Sequence, residues 1–268
     1  MDVGYMTNAW GVCAGHPSGV GSIKDLFYIS TGSTEEAVVA IGQAGFNKIE
    51  IFDGNLFEYR DRKDEFNSML AQNNITLTAV FTAANFIYDD ILEDEFYKLE
   101  RAINVAGEFS AKYMNVGGGP LRFDGPREDD LKKLADRLNR FAELCAKYGL
   151  IPSFHHQLNS LVEKENEIDD LMQLCDINLC LDTAYIYAAG GDPASVIKKH
   201  IDRIKYVHIK DFGHGYEPLG KGGVDFNSVF EELLPRGSDI QITVEANGIC
   251  MDLLELAKHN YSFIKRYF

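Results

Sequence analysis

Eight short apolar runs recur along the 268 residues, each followed by a polar or glycine-rich turn and then by a stretch with helical spacing. The runs are residues 3–7, 46–52, 75–81, 113–116, 150–154, 177–181, 204–207 and 240–244. Runs of this length that are apolar throughout suit strands buried on both faces, as in a parallel sheet covered by helices. The stretches between them carry helix signals. Ser33 precedes Glu35 and Glu36 as an N-cap, and apolar spacing continues to a stop at Gly45. Further helices are expected at about 61–72, 93–110, 128–148, 165–174, 192–200, 227–234 and 251–266. Regular βα alternation without a linker or composition shift argues for one α/β domain spanning residues 1–268. Pattern alone does not separate a closed barrel from a doubly wound open sheet. The glycine- and serine-rich stretch 14–32 interrupts the repeat and is expected to cover the mouth or rim.

The last four runs each end on a potential metal ligand: His155, Asp182, His208 and Glu245. Gaps of 27, 26 and 37 residues between them match repeated strand, loop and helix units. In a parallel barrel all strand ends of one sense open on one face, so these distant residues would converge there. Two imidazoles and two carboxylates form a mixed N/O set suited to Mn, Co, Mg, Zn or Fe more than to Cu(I) or an iron–sulfur cluster.

Each residue has a plainer alternative. His155 is followed by His156, and strand alternation sends only one of the two inward, so one is a ligand candidate and either could be a hydrogen-bonded structural histidine. Asp182 and Glu245 end buried strands, where a carboxylate is costly unless paired or coordinated, but they could be a helix cap and a rim carboxylate. Alternation places His208, Lys210 and Phe212 on one face, and Lys210 could simply pair with a neighbouring carboxylate. Gly117-Gly118-Gly119 lacks the spacing of a nucleotide loop and reads as tight backbone. The loop 220–226 could offer backbone N–H groups or Lys221 to a substrate oxygen, or be a plain turn. Trp10, the sole tryptophan, is a candidate apolar wall or a core residue.

Composition excludes several classes. With 41 acidic against 26 basic residues and a net charge of −15, the chain would repel a phosphate backbone and an anionic membrane alike, so no nucleic acid and no membrane partner is expected. The sequence shows no signal pattern at its start and no apolar run near 18 residues. Five cysteines without a CxxC pair, three of them beside apolar stretches, read as buried free thiols in a reducing cytoplasm.

Between residues 149 and 246 the motifs Phe154-His155-His156, Leu181-Asp182-Thr183, Lys205-Tyr206-Val207-His208-Ile209-Lys210-Asp211, Val224-Asp225-Phe226 and Val244-Glu245-Ala246 resemble the xylose isomerase-like TIM barrel superfamily, closest to its inosose dehydratase branch. In the first half, Ala44-Gly45-Phe46-Asn47-Lys48-Ile49-Glu50 looks like the family's second strand with its acidic end. The resemblance implies a (β/α)8 TIM barrel, homo-oligomeric assembly and a single divalent metal held by His155, Asp182, His208 and Glu245. It implies a sugar or cyclitol substrate, with a proton removed next to its carbonyl. In the epimerase branch the first ligand is a glutamate that works with the last as an acid/base pair; here it is His155. The dehydratase-like pattern has histidines where this chain carries Gln157 and Tyr185.

On this basis Glu245 and Lys210 are expected to be catalytic, Glu245 near the proton transfer and Lys210 on the developing oxyanion. Gln157, Tyr185, His214 and Trp10 are expected to contact substrate. The resulting expectation is a metal-dependent isomerase or epimerase of a keto-sugar, keto-polyol or derivative. The alternatives are an inosose-type dehydratase of inositol catabolism and a non-catalytic sugar-binding descendant.

Overall fold

The computed structural model describes residues 2–11, 13–14 and 27–268. Eight parallel strands close into a barrel: β1 (Val3–Met6), β2 (Lys48–Phe52), β3 (Thr76–Ala84), β4 (Tyr113–Gly118), β5 (Ile151–His155), β6 (Asn178–Asp182), β7 (Ile204–Ile209) and β8 (Gln241–Val244). Each pairs with its sequence neighbour, and β1 closes the ring by pairing with both β2 and β8. All eight expected runs become these strands, with ends shifted by a few residues. The largest extension is β3, which continues through Thr82, Ala83 and Ala84 to the mouth.

Among the described residues ten α-helices connect or follow the strands: α1 (Thr34–Ala44), α2 (Asp53–Phe57), α3 (Lys63–Gln72), α4 (Leu92–Glu108), α5 (Asp130–Lys147), α6 (Glu165–Leu174), α7 (Thr183–Ala188), α8 (Pro193–His200), α9 (Phe226–Leu233) and α10 (Leu253–Ile264). Ser33 caps α1 by accepting from Glu36 N at 3.2 Å, and Gly45 ends it at φ +107°, a left-handed conformation that favours glycine. The short α2 and α7 lie outside the expected set. Each begins on the residue after a strand, where an acidic end residue can satisfy free N–H groups.

Outward side chains of the strands, such as Ile49, Phe154, Leu181 and Val207, meet the helices in one continuous core. Inside the barrel, Ala79, Tyr113, Cys180 and Tyr206 form a packed lower layer, with the Tyr206 hydroxyl 2.6 Å from Thr243 Oγ1. The barrel is therefore filled below its mouth, and in this architecture sites are built at the carboxyl ends of the strands. No helix among the described residues is long and apolar enough to cross a membrane. Cys145, Cys175 and Cys180 are buried free thiols, whereas Cys250 is exposed.

Most of the stretch 14–32 lies outside the described residues. Its returning limb, Ile29–Ser30, pairs antiparallel with Cys13–Ala14.

Candidate metal centre at the barrel mouth

Period-two alternation decides which side chains reach the centre. On β5, Phe154 points outward into the core, so Ser153 and His155 point inward. On β6 the inward pair is Cys180 and Asp182, on β7 Tyr206 and His208. Register then sets the height: Asp182 and Thr243 both stand beside His208, and Glu245 N donates to Ile209 O at 3.1 Å. One ligand atom from each of His155, Asp182, His208 and Glu245 falls within 4.8 Å of all the others, and all four residues are buried. The structure brings together the four residues spaced along the sequence.

Among the described residues, both ring nitrogens of His155, Asp182 Oδ2 and His208 Nδ1 are buried without a hydrogen-bond partner. Such atoms are expensive to leave unpaired, and here they surround one point. His155 Nε2 lies 3.7 Å from Asp182 Oδ2, and His208 Nδ1 lies 3.2 Å from Glu245 Oε2, close but not aligned as a hydrogen bond. The donor set fits a divalent cation.

Outer contacts fix His208, Asp182 and Glu245. Glu50, fully buried on β2, places Oε2 2.7 Å from His208 Nε2 and accepts from Asn115 Nδ2 at 2.8 Å through Oε1. This leaves His208 Nδ1 facing the centre. Asp182 is both ligand candidate and helix cap: Oδ1 accepts from Tyr185 N at 2.9 Å while Oδ2 faces His155. His156, turned the other way, accepts from Asp182 N at 3.0 Å through Nε2. Glu245 Oε1 accepts from Lys210 Nζ at 2.9 Å and from Asn8 Nδ2 at 3.0 Å.

Charge states follow from these contacts. Burial would lower the His208 pKa, but Glu50 and Glu245 on its two sides outweigh burial and push it up to about 10. Burial, together with the neighbouring His155, pushes His156 down to about 3, so it is a neutral acceptor. Burial lowers His155 as well, leaving it in the neutral form a metal ligand needs. Burial disfavours the Glu245 charge, yet Lys210 and His208 hold its carboxyl well below the usual range. Lys210 is raised by Glu245 and Asp182 against the opposing effect of burial, and stays an ammonium.

Above the cluster lies a cavity of about 260 Å³ whose lining includes Tyr28, Gln157, Asn159, Ser160, Tyr185 and Tyr216. Lys210 Nζ sits 4.8 Å from the Tyr185 ring centre and 4.1 Å from that of Tyr216, linking cavity to cluster. Burial and nearby carboxylates raise the Tyr185 pKa well above 10, so it is a neutral phenol. Gly117 makes room for Gln157: a Cβ there would sit 3.1 Å from Gln157 Oε1 and 3.2 Å from the Phe81 ring. A larger open groove of about 420 Å³ lies on the outer face beside Phe57, Tyr97 and Arg101, away from the ligand cluster. The candidate ligand cluster adjoins the smaller cavity.

Gln157 and Tyr185, expected to contact substrate, both line the smaller cavity. The other two candidates do not. His214 is exposed at the turn of a small hairpin in which Asp211–Phe212 pairs with Tyr216–Glu217; the turn carries it outward, and Tyr216 faces the cavity instead. Trp10 packs in the core with its ring 5.8 Å from Tyr5 and does not line the cavity. The loop 220–226 also reads differently. Its N–H groups at Gly220, Gly222 and Val224 point to the Asp211 carboxylate at 2.8, 2.8 and 3.2 Å, and Lys221 is exposed. Sequence reasoning missed Glu50, Asn8, Tyr28 and Tyr216 as parts of the site. An acidic residue between Ile49 and Ile51 in a buried strand was the available signal for Glu50; Asn8, Tyr28 and Tyr216 gave none.

The chain belongs to the family described as Xylose isomerase-like TIM barrel, whose model matches residues 38–267, and the relatives and structural neighbours it resembles are enzymes of the dehydratase, isomerase and epimerase kind. The inosose dehydratase of Bacillus velezensis is 32% identical over 259 residues, covering 89% of this chain and 82% of that protein. The inosose dehydratase of Bacillus licheniformis is 32% identical over 142 residues, a match that spans 44% of this chain and 47% of that protein. Among solved structures, a probable 3-DHS dehydratase from Bacillus anthracis superposes with a TM-score of 0.78 at 16% identity, covering 99% of both chains. A D-psicose 3-epimerase from Clostridium cellulolyticum gives 0.78 at 14% identity over 100% of this chain and 98% of the other. At such identities the structural matches speak for the fold alone.

Proposed function

We propose that this protein is a metal-dependent dehydratase of a cyclic keto-polyol of the inosose type. The observation that carries the reading is the carboxylate–ammonium pair next to the cavity-lining Tyr185 and Tyr216, Glu245 with Lys210 at 2.9 Å, beside a ligand cluster in which His155 stands where epimerases of the family have a second acid/base carboxylate. The sequence relatives named inosose dehydratase support the same choice.

A divalent cation held by His155, Asp182, His208 and Glu245 would supply Lewis-acid polarisation of the substrate carbonyl. The protein's own groups account for the proton movements. The ionised Glu245 takes the proton from the carbon next to the carbonyl, and the released electron pair forms the C=C bond. The C–O bond at the β carbon breaks as that C=C bond forms, and the departing hydroxyl takes a proton from the Lys210 ammonium and leaves as water. Glu245 and Lys210 touch directly, so passing one proton back between them restores the starting charges. Tyr185, a neutral phenol, and the Gln157 amide orient substrate hydroxyls.

A second reading, isomerisation or epimerisation of a keto-sugar, rests on the same Glu245–Lys210 pair, since one base suffices for an aldose–ketose shift. The test is to give the metal-loaded protein a panel of inososes and keto-sugars. A growing ultraviolet-absorbing dione from an inosose is expected, and it should vanish in Glu245→Gln. Solvent deuterium entering a keto-sugar without dione formation would replace the dehydratase by the isomerase, and undiminished dione formation in Glu245→Gln would remove Glu245 from the mechanism.

A further inference from the structure

Immediately after β2 the chain reads Asp53-Gly54-Asn55, and these three residues hold the backbone of a distant segment, residues 27–30. Asp53 Oδ1 accepts from Tyr28 N at 2.8 Å and from Gly54 N at 2.8 Å, while Gly54 N also donates to Tyr28 O at 2.9 Å. Two residues on, Asn55 accepts from Ser30 N at 2.7 Å and donates to Ser30 O at 2.9 Å. Ser30 Oγ in turn donates to Trp10 O at 2.9 Å. Asp53 and Asn55 thus read alternate residues of the segment as a neighbouring strand would.

The approach is close enough to demand glycine between them. A Cβ on Gly54 would fall 2.2 Å from Ile29 Cγ2 and 2.6 Å from Tyr28 O. Asp53 is anchored from the other side as well, its Oδ2 accepting from Thr82 Oγ1 at 2.6 Å. Thr82 belongs to the end of β3, where Lys98 Nζ donates to Ala83 O at 2.7 Å and pairs with Glu95. Asp53 and Asn55 are almost fully buried, and none of these groups belongs to the ligand cluster.

What the turn holds in place is Tyr28. Its ring packs edge-on against Phe52 at 5.7 Å and Phe81 at 5.8 Å, and Phe81 in turn stands edge-on to His155 at 5.4 Å. Tyr28 also lines the cavity with Gln157, Tyr185 and Tyr216. We propose that Asp53, Gly54 and Asn55 form a positioning clamp that fixes Tyr28 as an aromatic wall of the substrate cavity, making Tyr28 a determinant for the C–H face of a ring-shaped polyol. The inference rests on reading that cavity as a polyol site. An aromatic ring suits this task because it offers a flat apolar surface to the ring carbons while leaving the hydroxyls to Gln157, Tyr185 and the ligand cluster.

The test compares wild type, Asp53→Ala, Asp53→Asn and Tyr28→Ala as metal-loaded proteins. Binding of myo-inositol and of open-chain sorbitol is measured by calorimetry, bound metal by elemental analysis, and amide exchange at residues 27–30 by mass spectrometry. Emission from Trp10, the sole tryptophan, adds a reporter tied to Ser30. Asp53→Ala and Tyr28→Ala should each weaken myo-inositol binding by about tenfold, the loss of roughly one well-made contact. Sorbitol should be affected less, and bound metal should stay at the wild-type level. Asp53→Ala alone should speed exchange at residues 27–30 and shift Trp10 emission, and Asp53→Asn, which keeps an acceptor for Tyr28 N, should restore both. Wild-type exchange and wild-type polyol binding in Asp53→Ala would overturn the clamp, and metal loss parallel to polyol loss would make Asp53 a structural residue instead. Wild-type protein that binds neither polyol would overturn the reading of the cavity and Tyr28's role with it, while the exchange data would still decide the clamp.

Discussion

Replacing Glu50 by glutamine isolates the contribution of a residue outside the candidate ligand cluster that holds His208 from behind. Glu50 is fully buried, and its Oε2 lies 2.7 Å from His208 Nε2. A hydrogen bond to a charged acceptor is worth roughly 1.5–3 kcal/mol against about 0.5–1.5 for a neutral one, so the change weakens the hold on the imidazole by about 1–1.5 kcal/mol. Since that hold orients the ligand, metal affinity measured near pH 10, where the His208 proton competes least, should fall by about tenfold, the lower end of what outer-shell partners typically contribute. A proton count provides an independent check. Glu50 and Glu245 push the His208 pKa up to about 10, so at pH 8 a binding cation must displace that proton. Affinity in wild type should therefore climb with pH through pH 8–10. In Glu50→Gln the proton is held less tightly, and both the climb and the number of protons released should diminish. Chelator competition and proton-release titration measure the two quantities, with circular dichroism to confirm that the barrel is retained. A variant that folds, binds metal with wild-type affinity and releases as many protons would refute the account of Glu50.

Three further outcomes are expected. Gly54→Ala places a methyl 2.2 Å from Ile29 Cγ2, so it should displace residues 27–30, seen as faster amide exchange there while bound metal is unchanged; unaltered exchange would show that the contact yields freely. Asp53 is raised from 3.8 to about 6, mainly by burial, so its stabilising contribution is fully present below about pH 4 and is lost as pH rises through 6. The difference in unfolding free energy between wild type and Asp53→Asn should accordingly fall by about 3 kcal/mol across that window, and a flat difference would contradict it. Lys210→Met leaves Glu245 without its ammonium partner at 2.9 Å and removes the proton donor, so turnover should fall by about a hundredfold or more with metal retained; near-normal turnover would exclude Lys210 from proton transfer.

Much of the centre was legible in the sequence because its four candidate ligands share one local signature, a donor residue at the end of a run apolar enough to be buried. Gln157 and Tyr185 follow the same strands and were carried along with them. His214 could not be placed this way: it follows the strand of His208 by only a few residues, but the hairpin from Asp211 to Glu217 reverses the chain and leaves its side chain in solvent. Trp10 follows β1 just as closely, yet the chain turns it into the core against Tyr5.

Local pattern by itself determined the eight strands, the sense in which their ends converge and the chemical character of the four ligands, because burial and period-two alternation are properties of short segments. Closure of the barrel came from the family resemblance and not from local pattern, while the reach of Glu50 across to His208 and the hold of Asp53 and Asn55 on residues 27–30 were decided only by tertiary structure. Those contacts depend on inter-strand register and on where a returning segment lands, and both arise from packing between residues far apart in the chain.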